Sequence, residues 1–328
     1  MSWRSSCPSL RLRRLLLYFP PRPSTRRTSN DLSSAHKNIM RSLAIVAVLS
    51  GALAVLAAPS GPVVDICGTH VDPTEASALE AKFAASKKTI ASRAPFPGVV
   101  IPVYWHVINA GPDVSDGNIR DCEIVANINV MNNDYAGSGI QFSIKNITRT
   151  TNAKWFHSVD QGTTYETAMK RTLRVGGADT LNIYTVAFDE IENPGLLGYA
   201  TFPMYYEDAP QDDGVVISHL TLPGGALPRY NGGRTLTHET GHWLGLYHTF
   251  QGGCDGPGDF VDDTPAEASA FSGCMKGRDS CPQDPGLDPI SNYMDYSDDA
   301  CMNQFTPGQW DRIAAAMSLF RGAGATDS

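Results

Sequence analysis

Eleven residues constrain this chain more than any others: His238-Glu239-Thr240-Gly241-His242-Trp243-Leu244-Gly245-Leu246-Tyr247-His248. Residues four apart on an α-helix share one face a turn apart, so His238 and His242 present two imidazoles to one point, a spacing that binds a single Zn²⁺. Glu239 projects beside them, poorly placed as a third ligand but able to reach a metal-bound water and take its proton. A continuous helix would carry His248 about 15 Å along the axis from His238. The chain must therefore turn, and Gly245 sits where a left-handed helix stop would return His248 as the third ligand. At this chain's own residue frequencies HExxH arises by chance about 0.005 times per chain and HExxHxxGxxH about 0.00001 times. His106, His157 and His219 stand isolated and read as strand or surface histidines, while His36 and His70 lie outside the main domain.

Around that segment the pattern alternates between strand and helix. Val99 to Ile108 and Leu181 to Phe188 are β-branched and aromatic runs, and Gln141 to Ile147 alternates as a half-buried strand does. Asn118 to Asn133 carries Ile119, Ile124, Ile128 and Met131 at roughly helical spacing. Leu197 to Phe202 and Val215 to Ser218 are shorter strands, the first an edge strand ending before Pro203. Leu236 to Leu246 predicts a helix, and Thr306-Pro307 caps a final helix through about Phe320. Thr74 to Ala85 is a helix-like patch ahead of the domain. Gln251 to Gln304 is loop-rich. The fold class is thus α+β, with an α/β-like start, in one domain of about 230 residues.

Composition places the chain in a compartment. The 26 basic and 34 acidic residues leave a formal charge of −8, which argues against a nucleic-acid partner. Residues 1–39 hold eight bases and one acid, whereas residues 58–328 hold 17 bases and 33 acids. Met40-Arg41 precedes an apolar run from Ser42 to Ala58 that closes on Ala57-Ala58, the order of a secretory signal peptide. The division expected is an upstream extension over 1–39, a signal peptide over 40–57, a pro-segment or N-terminal arm over 58–97 and a catalytic domain over 98–328. A transit peptide, or an uncleaved anchor from a start at Met1, are the alternatives. With signal cleavage the protein is secreted and keeps no stable membrane association. Six of the seven cysteines (Cys67, Cys122, Cys254, Cys274, Cys281, Cys301) follow the cleavage point. An even set of that kind reads as disulfides of an oxidising compartment, with a thiolate metal site as the alternative. Asn146-Ile147-Thr148 is a glycosylation sequon.

HExxHxxGxxH followed by Ser291-Asn292-Tyr293-Met294-Asp295-Tyr296 resembles the metzincin pattern of zinc helix and Met-turn. GLLGYATFP (Gly195 to Pro203), GVVISH (Gly214 to His219) and Met294 to Gln309 narrow the resemblance to the pappalysin-like secreted metalloproteases of fungi, peptidase family M43. It implies the metzincin fold: a twisted mixed β-sheet with an active-site helix, then a loop-rich, disulfide-bonded C-terminal subdomain with a Met-turn and a final helix. It also implies a zinc endopeptidase acting on extracellular proteins and peptides. His238, His242 and His248 would be the zinc ligands, Glu239 the general base and then acid, and Met294 the apolar floor. Tyr296 would help stabilise the oxyanion or serve as a packed aromatic. Leu197 to Phe202 would bind an extended substrate by strand addition. Cys254 with Cys281 and Cys274 with Cys301 would be disulfides. Cys67 would block the zinc as a cysteine switch, or else bridge to Cys122.

Three further readings remain open. Residues 255–299 hold eleven acids and two bases, which suits structural Ca²⁺ or a solvated acidic surface. Asp298 and Asp299 suggest a pocket for Arg or Lys after the cut, although the family's pocket acid falls on Ala300. A zinc hydrolase of non-peptide acyl bonds would share the metal chemistry, and a zinc-stabilised binding protein would not need Glu239.

Overall fold

The protein is described by a computed structural model covering residues 65–90 and 98–322. Residues 1–64, 91–97 and 323–328 lie outside the described residues. The expected extension, the signal peptide and His36 fall within the first of these stretches.

Apolar runs became the inner strands. Strand β1 (Val99–Asn109) buries Val103, Trp105 and Val107 completely. Parallel strands need a crossover, and helix α2 (Asp121–Asp134) supplies the one leading to β2 (Ile140–Thr151), with Ile124, Ile128 and Met131 on its buried face. Helices α3 (Ala153–Ser158) and α4 (Thr164–Leu173) supply the next, leading to β3 (Leu181–Val186). Strand β4 (Gly198–Ala200) pairs antiparallel to β5 (Val215–Ser218), and the sheet order is β2-β1-β3-β5-β4. The sheet is therefore mixed, with β4 as its short edge.

Its two faces bury separate cores. Helices α2 and α5 (Arg234–Trp243) pack on one face, bringing Met131, Leu236 and Trp243 against Trp105 and Ile183. Phe156 and Met169 of α3 and α4 pack on the other against Ile108 and Tyr184. Sequence periodicity passed over α3 and α4. The first has six residues, and the second buries an ion pair, Lys170 Nζ to Glu166 Oε1 at 2.6 Å, where an apolar stripe would be sought. Strand β4 is shorter than the Leu197 to Phe202 expected, because beyond Ala200 the chain turns into a 3₁₀ helix at Pro203–Tyr205.

From Thr249 to Gln304 the described chain has no helix or strand. Disulfides Cys254–Cys281 and Cys274–Cys301 staple it, with Cα–Cα distances of 5.5 and 5.9 Å. Helix α6 (Pro307–Phe320) starts at a capping box in which Thr306 Oγ1 accepts the Gln309 N–H and Gln309 Oε1 accepts the Thr306 N–H. The N-terminal arm enters as an extended segment and then helix α1 (Pro73–Ile90), which lies on α6. There Arg312 reaches Glu80 at 3.0 Å, and its guanidinium lies over the rings of Phe83 and Tyr247. No described helix is long and apolar enough to cross a membrane.

Candidate active site

Helix α5 lies against the sheet edge and buries His238, Glu239 and His242 together. It stops after Trp243. Gly245 takes φ of +96°, a left-handed turn closed by the Leu246 N–H donating to the Gly241 carbonyl at 2.9 Å. That turn returns the chain. His242 Nε2 lies 3.2 Å from His238 Nε2 and 3.1 Å from His248 Nε2.

Backbone carbonyls set the tautomers. His238 Nδ1 lies 2.7 Å from the Tyr293 carbonyl and His242 Nδ1 lies 2.8 Å from the Leu246 carbonyl. A carbonyl only accepts, so each Nδ1 carries the proton and each Nε2 turns a lone pair to the common centre. Burial depresses all three histidine pKa values, that of His238 to about 4, and so favours the neutral imidazoles a metal requires. Converging lone pairs repel unless a cation lies among them, so the donor set fits Zn²⁺. Met294, fully buried, packs from below: a Cβ added at Gly241 would fall 2.3 Å from its sulfur.

The N-terminal arm crosses this centre. Its thiol, Cys67 Sγ, lies 3.5 Å from both His242 Nε2 and Glu239 Oε2. The ligand atoms of Cys67, His238, His242 and His248 all lie within 4.8 Å of one another. Cys67 is a free thiol and Cys122 is disulfide-bonded, so the two are not joined to each other. The arm pairs parallel to β4: the Leu197 N–H donates to the Ile66 carbonyl at 2.8 Å, and the Gly68 N–H to the Gly198 carbonyl at 2.9 Å. Thr69 Oγ1 accepts the Ala200 N–H at 2.9 Å and lies 3.3 Å from Glu239 Oε2. Burial pushes the Glu239 carboxyl up to about 8, partly offset by its contacts with Cys67 and Thr69. Tyr296 Oη lies 3.1 Å from both Asp65 Oδ1 and the Cys67 carbonyl oxygen.

A pocket opens beside the histidines, lined among others by Leu197, Tyr230, His238, Asp295, Asp299 and Met302, with Ile66 of the arm in its wall. Asp299 Oδ2 accepts the N–H groups of Gly232 and Arg234, and Asp298 pairs with Arg229 at 2.8 Å and does not line the pocket. Ala300 is exposed.

The family model described as "Pregnancy-associated plasma protein-A" (Peptidase_M43) matches residues 198–318. An extracellular metalloprotease of Pyricularia oryzae is 50% identical over 251 residues, covering 75% of this chain and 85% of the relative. This chain belongs to peptidase family M43. Extracellular metalloprotease 1 of Coccidioides posadasii is 42% identical to this M43 metalloprotease, over 85% of this chain and 98% of the relative. Among solved structures, a promirolysin mutant of Tannerella forsythia superposes with a TM-score of 0.64 at 27% identity, over 78% of this chain and 95% of that one. Mature mirolysin in complex with a cleaved peptide superposes with a TM-score of 0.55 at 28% identity, over 70% and 98%. The likeness establishes the metzincin fold. The M43 chain is a metalloendopeptidase of an extracellular zinc protease family, and its substrates are proteins or peptides.

Among the described residues the His238 set with Cys67 is the one place where three or more such ligand atoms converge, so the acids of 255–299 give calcium no support. His106 is held between Thr148 and Asn182, His157 by Asp189, and His219 by the Val186 carbonyl. His70, set outside the domain by sequence, lies with its ring centroid 6.0 Å from that of His248. Thr69 was missed beside Cys67. Its signal was adjacency alone, since nothing in the chain's spacing announces its contact with a glutamate 170 residues away.

Proposed function

We propose that this chain is a secreted zinc endopeptidase in which His238, His242 and His248 hold the metal and Glu239 is the general base. The observation that carries the reading is the convergence of the three Nε2 atoms, with the Nδ1 protons of His238 and His242 held outward by backbone carbonyls and the buried Glu239 beside them. Zn²⁺ bound there supplies an electrophile for the scissile carbonyl and acidifies water. Strand β4, once the arm has left its edge, offers that edge to an extended peptide backbone. Glu239 accepts the proton of the attacking water at a carboxylate oxygen and delivers it to the leaving amine nitrogen. The Tyr296 phenol, released from Asp65 and the Cys67 carbonyl, donates a hydrogen bond to the carbonyl oxygen as that atom gains negative charge. Met294 keeps the floor beneath the imidazoles apolar. A strand-binding edge beside the centre favours peptides over other acyl substrates.

In the same reading residues 40–57 are the signal peptide, 58–97 a pro-segment, 98–328 the catalytic domain, and Asn146, exposed on β2, the glycosylated residue. Cys67 holds the chain latent until the arm is removed. The decisive test is Glu239→Gln in the processed protein. Casein hydrolysis should fall by about 10³-fold while zinc stays near one per chain, and hydrolysis at the unaltered rate would overturn the mechanism.

A further inference from the structure

Gly198 lies on edge strand β4, opposite Ile217 of β5. Its φ is not positive, so a left-handed backbone is not the reason for glycine at this position. Space is. A Cβ added here would fall 2.9 Å from Glu239 Cγ, 3.0 Å from Glu239 Oε1 and 2.9 Å from the Val216 carbonyl oxygen. Side chains of a strand alternate between faces. Tyr199 enters the core on the far face, while Gly198 and Ala200 face the side on which α5 packs. At Gly198 the space a side chain would fill is taken by Glu239 Cγ and Oε1. Its main chain faces the cleft, since the Gly198 carbonyl accepts the Gly68 N–H of the arm at 2.9 Å.

We propose that Gly198 is a positioning residue for Glu239. The absence of a side chain at this point sets the distance between the strand that pairs with substrate and the carboxylate that moves its protons. The inference rests on the general-base reading of Glu239. A methyl group cannot be absorbed on the β5 side, where it meets a backbone carbonyl, so the flexible Glu239 side chain must give way. The histidines are untouched by such a shift. Base and scissile bond then fall out of register, and a misplacement of about 1 Å costs on the order of 10²-fold in rate.

The test is a cycle of Gly198→Ala and Glu239→Ala, singly and together, on the full chain and on the processed protein. Gly198→Ala should lower kcat by about 10²-fold, with KM within a few-fold and zinc near one per chain. In melting experiments Gly198→Ala should cost clearly less when Glu239 is already Ala, because Cγ and Oε1 are gone while the Val216 contact is common to both backgrounds. Equal costs in the two backgrounds, including failure to fold in both, would overturn the proposal, as would unaltered kcat in Gly198→Ala. Folding of Gly198→Ala only in the Glu239→Ala background would support it. An active Glu239→Gln protein would remove the general-base reading, and an inactive one beside a fully active Gly198→Ala would sink the positioning role alone.

Discussion

Cys67 Sγ lies 3.5 Å from His242 Nε2, although 175 residues separate them in the chain. Thr69 beside Glu239 and Asp65 beside Tyr296 extend the same segment across the Glu239 carboxyl and the Tyr296 phenol. Replacing Cys67 by Ala in the unprocessed chain should raise hydrolysis of a fluorogenic peptide by about tenfold or more, by shifting the arm from docked to released. Intact mass must show the arm still attached. A Cys67→Ala chain as silent as the parent would show that the thiol is not the element that holds the arm.

Behind the histidine helix, Asp213 is buried and gathers four side-chain partners, one of them the Thr201 hydroxyl at 3.2 Å. It accepts from Trp243 Nε1 at 3.1 Å and Arg321 Nη1 at 2.8 Å, and it pairs with Arg174 at 3.3 Å. Arg321 stacks 3.7 Å from the Trp243 ring centroid and donates to the Trp243 carbonyl. Asp213→Ala leaves two arginines buried without a counter-charge, which costs about 3–5 kcal/mol. The melting temperature should drop by roughly 10 °C. Recovery of much of that loss on adding Arg321→Met would assign it to the stranded cation, whereas a shift of a degree or two in Asp213→Ala itself would refute the account.

Asp259 is buried with Oδ2 unpartnered, and burial lifts its pKa from 3.8 to about 7 against weaker lowering by Thr264 and the Val261 N–H. A carboxyl with a raised folded-state pKa keeps its proton in the folded state while the unfolded chain has already released it. Its contribution to stability therefore falls as pH rises from 3.8 to about 7 and is at its least favourable above that. Asp259→Asn should leave stability unchanged at pH 4 and raise it by about 2–4 kcal/mol at pH 8. Paired denaturant titrations at the two pH values measure this, and an equal effect at both would exclude the buried carboxylate as its source.

Much of the centre was legible before any tertiary information. The four-residue spacing of His238 and His242 and the glycine at 245 are properties of one helix and its stop, set by helical pitch and left-handed backbone geometry. The apolar run of β1 and the Thr306-Pro307 start of α6 were readable for the same local reason. Helix α4 was not, because Glu166 and Lys170 occupy its buried face and satisfy each other there. Arg321, just past the end of α6, is fully buried, and no local pattern in the sequence marks it as such.

The sequence by itself determined which side chains converge, since His238, Glu239, His242, the helix stop at Gly245 and His248 all lie within eleven consecutive residues. Only the tertiary structure decided what stands in front of them and what stands behind. It placed Cys67 and Thr69 over His242 and Glu239, put Gly198 against Glu239, and set Asp213 with Arg321 beneath Trp243. Those contacts join segments tens to hundreds of residues apart, so no local period encodes them. They arise from the order of strands in the sheet and from the path of the arm across its edge.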